Sequence, residues 1–469
     1  MFRDFLHYLW PSLIQLIGSI LVVLPVTTYY LNPDEIGLVS ALTAIAMPIG
    51  PLSSSGDAWV LSGNWHQTSI TERKTLLFNV VVGNVALKLF WVVVFWVSAS
   101  TILPMILRDF QPVHLMYFGF VLLAFLLNTL WSTVSYVIVL ERKATANAMN
   151  EFAQWFAGAV TIVVCLAVLE VGVVSLFVSP IVAGLVSLAS CLWYLSPRVR
   201  FILSKMWIKE MVQKGSPVLP FSLTEVIANS LDRILLQRWF DLSLLGMYAH
   251  SQTYRNIFVM GTKAYSRTMT PPLLELFAGY PEARWEHLSN RQSLWYVLVA
   301  ASGIILALFS PEIVHLLGHG KFDAAAPLVP VWFFLVLTHS FILPYTQFIL
   351  YIKQNRLLSL WSIAVSLLSI ALVCMLTKSF GMWGAAWAGI IGSLGLGLVR
   401  FYLARRFGYL YGFEKRFLLA GCVIAFVYCM TLSISLSFVA KIVLGVFSLF
   451  MLGMVARRVW AFQAIGSPA

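Results

Sequence analysis

The chain has 469 residues, of which 60% are hydrophobic and only 11% charged, and its mean hydropathy is +0.86. Soluble domains carry roughly 25% charged and 45–50% apolar residues, so this composition excludes an ordinary water-soluble protein and points to a bilayer as the solvent. The net charge of +12 would raise the question of nucleic acid in a soluble chain, but in a membrane protein it is read first as loop topology.

A spanning helix needs about 20 predominantly apolar residues. By that rule the sequence predicts an all-α polytopic membrane protein of about fourteen spans. In chain order they are 9–31, 37–60, 76–101, 115–139, 152–169, 173–196, 216–237, 244–266, 293–314, 327–351, 357–377, 383–404, 417–438 and 440–456. The connections are short, and the two longest, 197–215 and 267–292, are too small for a soluble domain. Arg3 alone is basic ahead of the first span and no small-residue cleavage pattern follows it, so this span is expected to be a retained helix rather than a signal peptide.

Fourteen spans place both termini on one side. Sorted accordingly, one set of loops holds 21 of the 31 Lys and Arg, while the other holds only Arg108, Arg238, Lys321, Lys378 and Lys441. This bias predicts a multi-pass protein of the cytoplasmic membrane with both termini in the cytoplasm. It also explains the basic charge without nucleic acid. The five cysteines lie in apolar runs with no CxxC pair, which argues against a disulfide framework or zinc site; they are expected to be small hydrophobes at helix interfaces.

A shift of 209 residues brings Pro11 onto Pro220, Gly37 onto Gly246 and Gly172 onto Gly381, and aligns LNPDEIGLVSA (31–41) with FDLSLLGMYAH (240–250). Many transporters are built from two such halves. The expected organisation is a six-helix lobe over 1–196, a cytoplasmic linker over 197–215, a second six-helix lobe over 216–406, two additional helices over 417–456 and a cytoplasmic tail over 457–469. Two facing bundles predict a binding site between them.

An ionisable residue at the centre of a span costs roughly 2.5–3.5 kcal/mol on insertion scales and calls for a reason. Arg400 is expected to reach the headgroups from the end of span 12, and Lys263 stands close enough to the end of span 8 to do the same. Lys88 and Arg255 lie too deep for that and should face an aqueous cavity or an anion. Arg233 has Asn229 and Gln237 at i−4 and i+4, whereas Asp232 diverges from it by about 100° on a helix. Pairing of Arg233 with an acid from another helix is the structural alternative. Ser222, Glu225, Asn229 and Asp232 form a polar stripe on span 7, and Tyr248, Ser251, Arg255 and Thr262 form another on span 8. They read as walls of a hydrated cleft, against the alternative of hydrogen bonding inside a packed bundle. In span 2, Pro48, Gly50, Pro51 and the serines before Gly56 predict a bent or broken helix that carries Asp57.

Cations on a polar cleft favour an amphiphilic anion, such as a lipid with a pyrophosphate headgroup and attached sugars. Moving a doubly anionic headgroup outward from a negative interior gains roughly 5 kcal/mol per 100 mV, so the step left to the protein is resetting the empty cationic cleft. Coupling to an inward-moving H+ or Na+, with Asp57, Glu225 or Asp232 as carrier, is the expectation for that step.

The stretch from Gly215 to Arg255 resembles the central signature of polysaccharide (O-antigen and exopolysaccharide) flippases in the multidrug/oligosaccharidyl-lipid/polysaccharide (MOP) exporter superfamily. The matching positions are Gly215, Pro217, Asp232, Arg233, Gly246 and Tyr248; GMWGAAWAG (381–389) and LNPDEIG (31–37) resemble further family segments. The resemblance implies V-shaped lobes, alternating access, and cavity Arg and Lys that hold an undecaprenyl-pyrophosphate-linked sugar. That carries over to Arg233 and Arg255 first, then to Lys88 and Lys263, with Asn229, Ser251 and Tyr248 beside them. Membrane lipids, a polysaccharide polymerase and export proteins are the implied partners. The lipid II flippase branch shows a basic cluster in its first two spans, and this chain has none there. The competing readings are a cation-coupled multidrug exporter, a lipid II flippase, or, more distantly, a polytopic polymerase or ligase enzyme. The last would need a large outer loop with Arg and His, whereas His315 and His319 flank a mere turn. No nucleophile with a base at useful spacing, phosphate-binding loop, cofactor site or metal-ligand set is seen, so no catalysis is expected.

Overall fold

The computed structural model describes residues 14–450 apart from 54–59, 62–63, 66–67, 142, 217–218, 278–282, 353, 410–413, 434–436 and 448–449. Pro11, Asp57, Pro217 and the tail 457–469 lie outside the described residues. Among the described residues the chain is helical with no strand: in hydrocarbon every backbone N–H and C=O must be satisfied, and in a long apolar run the helix does this within its own segment. Eight helices among the described residues are long and apolar enough to cross a membrane, and shorter apolar helices lie at Ile14–Tyr30, Leu418–Cys429 and Phe438–Phe447. Each of the fourteen predicted spans has a helix at its place, two of them fused into one 52-residue element.

The chain divides into two compact units, Met1–Gly246 and Met247–Ala469. The first contains α1 (Ile14–Tyr30), α2 (Pro33–Ala46), α3 (Ile49–Leu52), α4 (Ile70–Ile106), α5 (Val113–Leu127), α6 (Thr129–Leu140), α7 (Ala144–Ala167), α8 (Val174–Leu195), α9 (Lys205–Gly215) and α10 (Leu219–Trp239). The second span breaks as predicted, because Pro48 and Pro51 cannot donate to an unbroken ladder and α2 gives way to the one-turn α3. The segment read as a linker contains the amphipathic helix α9. Its Trp207 and Met211 join a core with Leu76 and Val80 of α4, Val134 of α6 and Tyr194 of α8.

The helix α11 (Leu242–Phe277) begins in the first unit and continues into the second. The second unit adds α12 (Ala283–Gly318), α13 (Trp332–Tyr351), α14 (Asn355–Arg406) and α15 (Glu414–Ser433), followed by α16 (Phe438–Phe447). The predicted loop 267–292 is largely helix, since α11 runs on to Phe277 and α12 starts at Ala283. A core of Tyr296, Phe333, Val336, Leu337 and Ile424 ties α12, α13 and α15 together. Within α14, Gly381 takes φ 56°, ψ −133° and reverses the chain. Gly384, Gly392 and Gly395 of the second half then face Leu376, Ser369 and Val365 of the first. Small residues let two backbones approach closely in a bilayer, and here they build an antiparallel hairpin.

The positions paired by the 209-residue shift are alike in structure. Gly172 and Gly381 both take the left-handed backbone, at φ 60° and 56°. Asn32 forms a capping box with Glu35 at the start of α2, and Asp241, which the same shift pairs with it, accepts from the Leu244 N–H at 2.6 Å at the start of α11. The two repeat-related turns also meet. A Cβ added at Gly37 would stand 2.0 Å from the Leu242 carbonyl oxygen, and one at Gly246 would stand 1.8 Å from that of Pro33. Of the cysteines, Cys165 and Cys191 are buried as expected, but Cys422 and Cys429 are exposed.

Candidate functional site

In the first unit, Lys88 stands midway along α4 and opens onto a cavity of about 490 Å³. Asn84 of α4, Ser53 beyond α3, and Asn128, Thr129 and Ser132 at the α5–α6 junction supply its polar lining. The polar groups collect there because α5 ends at Asn128, whose side chain turns back to the Ala124 carbonyl at 3.0 Å. Asn84 is held at 2.8 Å from the Thr133 hydroxyl. The Lys88 ammonium lies 5.6 Å from the centre of the Phe125 ring, and it forms no salt bridge among the described residues. A ring face attracts a cation electrostatically without placing a carboxylate in the site.

The span-7 stripe lies on α10. Asp232 is buried and half-buried Arg233 reaches the Met47 sulfur at 3.8 Å. Glu225 is half-buried and exposed Asn229 donates to its carbonyl at 2.9 Å. The adjacent Asp232 carboxylate accepts from the Arg233 backbone N–H at 2.8 Å.

In the second unit the Arg255 guanidinium lies 5.2 Å from the centre of the Trp332 ring. The indole N–H of Trp332 donates to the Ser251 hydroxyl at 3.0 Å, and that hydroxyl donates to the Tyr248 carbonyl at 2.7 Å. The Tyr248 ring packs edge-on against the indole at 5.5 Å. Tyr248 and Ser251 are therefore buried, at 1% and 0% exposure. They fix the ring that carries Arg255 and do not line a hydrated wall. Lys263 is exposed, farther along α11. Arg400 does not reach outward as predicted. It lies about 200° around α14 from the exposed Leu398 and Tyr402, and it donates to the Thr346 hydroxyl of α13 at 3.3 Å.

The structure thus gathers Arg255, Ser251 and Tyr248 around Trp332 within the second unit, and sets Lys88 on a cavity within the first. Sequence reasoning missed Phe125, Trp332 and Asn84, although Asn84 shares a face with Lys88 at i−4. Among the described residues, no group of three His, Cys, Asp or Glu side chains could hold a metal.

The fold is that of known transporters. A solved structure described as "Lipid II flippase MurJ, inward closed conformation" superposes with a TM-score of 0.73 at 10% identity, over 98% of this chain and 99% of that one. An inward-facing multidrug resistance MATE family transporter of the MOP superfamily gives 0.63 at 13% identity, over 89% and 96%. A mutant of the Vibrio cholerae MATE transporter VcmN gives 0.60 at 10% identity, over 86% and 96%. No curated protein matches the sequence. The profile of the family described as "Polysaccharide biosynthesis protein" matches residues 30–327, well over half of the chain. With its helical bundles and in-span cations, this multi-pass membrane chain belongs to the polysaccharide biosynthesis protein family and shares its fold with the flippase and MATE structures.

Proposed function

We propose that the chain is a flippase that moves a polyprenyl-pyrophosphate-linked oligosaccharide repeat unit from the inner to the outer leaflet of a bacterial cytoplasmic membrane, by alternating access, for extracellular polysaccharide synthesis. The observation that carries this reading is the pairing of in-span cations with aromatic faces, Lys88 on Phe125 and Arg255 on Trp332. A phosphate is drawn to a cation, and a sugar ring packs on an aromatic face. The Lys88 cavity, with half-buried Phe125 in its wall, supplies both; Arg255, lying on a Trp332 ring that is itself buried, adds a second cation; and the family description supplies the pathway. Arg233 and Lys263 add to the positive field, and both termini lie in the cytoplasm.

In this reading the lipid-linked dianion moves outward down the membrane potential, and an inward H+ or Na+ resets the empty carrier through Asp57, Glu225 or Asp232. The protein is a transporter without a chemical step, and it hands its product to a polymerase and export proteins.

The test is flipping of a fluorescent pyrophosphate-linked oligosaccharide lipid in proteoliposomes. The parent should move the lipid, and Lys88→Ala and Arg255→Ala, still folded, should fail. Asp232→Asn, Glu225→Gln and Asp57→Asn are compared with and without an ion gradient, and gradient dependence should vanish in at least one. A parent that moves no such lipid but exports an organic cation along a proton gradient would replace this reading with that of a multidrug exporter.

A further inference from the structure

Arg400 and His339 belong to none of the pairings above, yet the fold aligns them with Arg255. On α13, Trp332, His339 and Thr346 recur every seven residues, so they share one face and stand about 10.5 Å apart along the axis. Arg255 of α11 covers the first of them, and Arg400 of α14 bonds to the last. His339 stands between. It is also exposed in a run where Val336, Leu337, Thr338, Ser340 and Phe341 are all buried. A lipid-facing stripe would be apolar, as it is at Leu360, Leu367 and Leu398 of α14; this one carries an imidazole between two guanidinium groups and ends at a hydroxyl.

Resting on the flippase reading, we propose that Arg255, His339 and Arg400 form an oxyanion-binding ladder along α13 that takes successive phosphate or carboxylate groups of the substrate. The two guanidinium groups offer forked donors that match the paired oxygens of either group. The imidazole N–H bridges the gap, which is too long for one oxyanion to span alone. In the predicted orientation Arg400 lies toward the cytoplasmic end and Arg255 deeper, so the ladder offers consecutive footholds along the transport direction. The oxyanions have two sources, the pyrophosphate itself and acidic sugars of the repeat unit.

The experiment uses the full-length purified protein with His339→Ala, Arg400→Gln and Arg400→Lys. Flipping is measured for two pyrophosphate-linked lipids, one with neutral sugars and one with a uronate, and binding of inorganic pyrophosphate is measured by calorimetry in detergent. If the ladder reads the pyrophosphate, His339→Ala and Arg400→Gln slow both lipids and weaken inorganic pyrophosphate by about tenfold, the loss expected for hydrogen bonds to a charged group. If it reads acidic sugars, only the uronate lipid slows. Arg400→Lys, which keeps the charge without the fork, should fall between parent and Arg400→Gln and stands in should Arg400→Gln not fold. A parent that flips both lipids with His339→Ala and the Arg400 variants unchanged overturns the ladder. A parent that flips neither lipid overturns the flippase reading, and pyrophosphate binding lost in the variants would then uphold the ladder without it.

Discussion

The Trp332 indole serves two neighbours, presenting its face to Arg255 and its N–H to Ser251. Replacing Ser251 by Ala leaves that buried donor without its acceptor, at an expected cost of about 1–3 kcal/mol. The thermal midpoint of the purified protein should fall, and an unchanged midpoint would show that the bond contributes nothing. Arg255 was legible in the sequence because a charge about eleven residues into a predicted span calls for a reason. Trp332 was not, being one of 17 tryptophans, most of which a membrane protein uses at its lipid boundary. Arg400 shows why depth alone misleads. Its place in the sequence fixes how far it lies from the helix end, but which side of α14 it occupies depends on how α13 and α14 pack. The span rule says nothing about that.

At the scale of elements, Pro344 lies inside α13 and cannot donate to the Ser340 carbonyl. The carbonyl accepts instead from Gln292 of α12 at 3.2 Å, while the Gln292 side-chain oxygen accepts from the Tyr265 hydroxyl of α11. One glutamine thus joins three helices. Gln292→Leu strands a buried hydroxyl and a carbonyl, and denaturation should show a loss of about 2–6 kcal/mol, taking two groups at the cost of an unmade bond. In the α14 hairpin, a Cβ at Gly392 would stand 2.3 Å from the Ser369 hydroxyl. Gly392→Val should therefore reduce the yield of folded protein, and Ser369→Ala should partly restore it.

A third joint lies at the ends of α6 and α8, where the Glu141 carboxylate accepts from Lys143 at 2.6 Å and from the Tyr194 hydroxyl at 2.8 Å, with Arg198 at 3.8 Å. Burial pushes the Glu141 carboxyl up, but these hydrogen bonds and the Lys143 and Arg198 charges outweigh it and hold the carboxyl below its ordinary value. A group depressed on folding stabilises the protein above its unfolded-state value of about 4.5, and that contribution disappears as pH falls through the folded value. Thermal midpoints between about pH 6 and pH 3 should therefore decline less steeply in Glu141→Gln than in the parent; equal slopes would remove Glu141 from the acid response. Most helices were legible because a run of twenty apolar residues is a physical requirement of the bilayer. The helix α9 was not, since eleven amphipathic residues fall short of any span rule. The continuation of α11 and the early start of α12 were missed because their terminal turns are polar.

For the molecule as a whole, the internal repeat was read from a few glycines and prolines. It gains force because paired positions share a function in the fold: Asn32 and Asp241 cap helices, and Gly172 and Gly381 make left-handed turns. What the sequence could not supply was which repeat-related turns touch, because that depends on packing between distant segments. Orientation is testable at this scale. In a background without the native cysteines, Asp109→Cys should react with a membrane-impermeant maleimide in intact cells, and Thr71→Cys only after permeabilisation. The reverse pattern would invert the topology drawn from the loop charges.

The contact of the Gly37 and Gly246 turns acts as a selective wedge point. A single methyl there cannot coexist with the neighbouring carbonyl, so Gly37→Ala or Gly246→Ala penalises every conformation in which the turns touch and leaves untouched any in which they part. Each 1.4 kcal/mol of such a penalty shifts the ratio of the two populations about tenfold. Spin labels placed on the two turns should report a longer distance distribution in either variant than in the parent. An unchanged distribution would mean that the turns move as one piece.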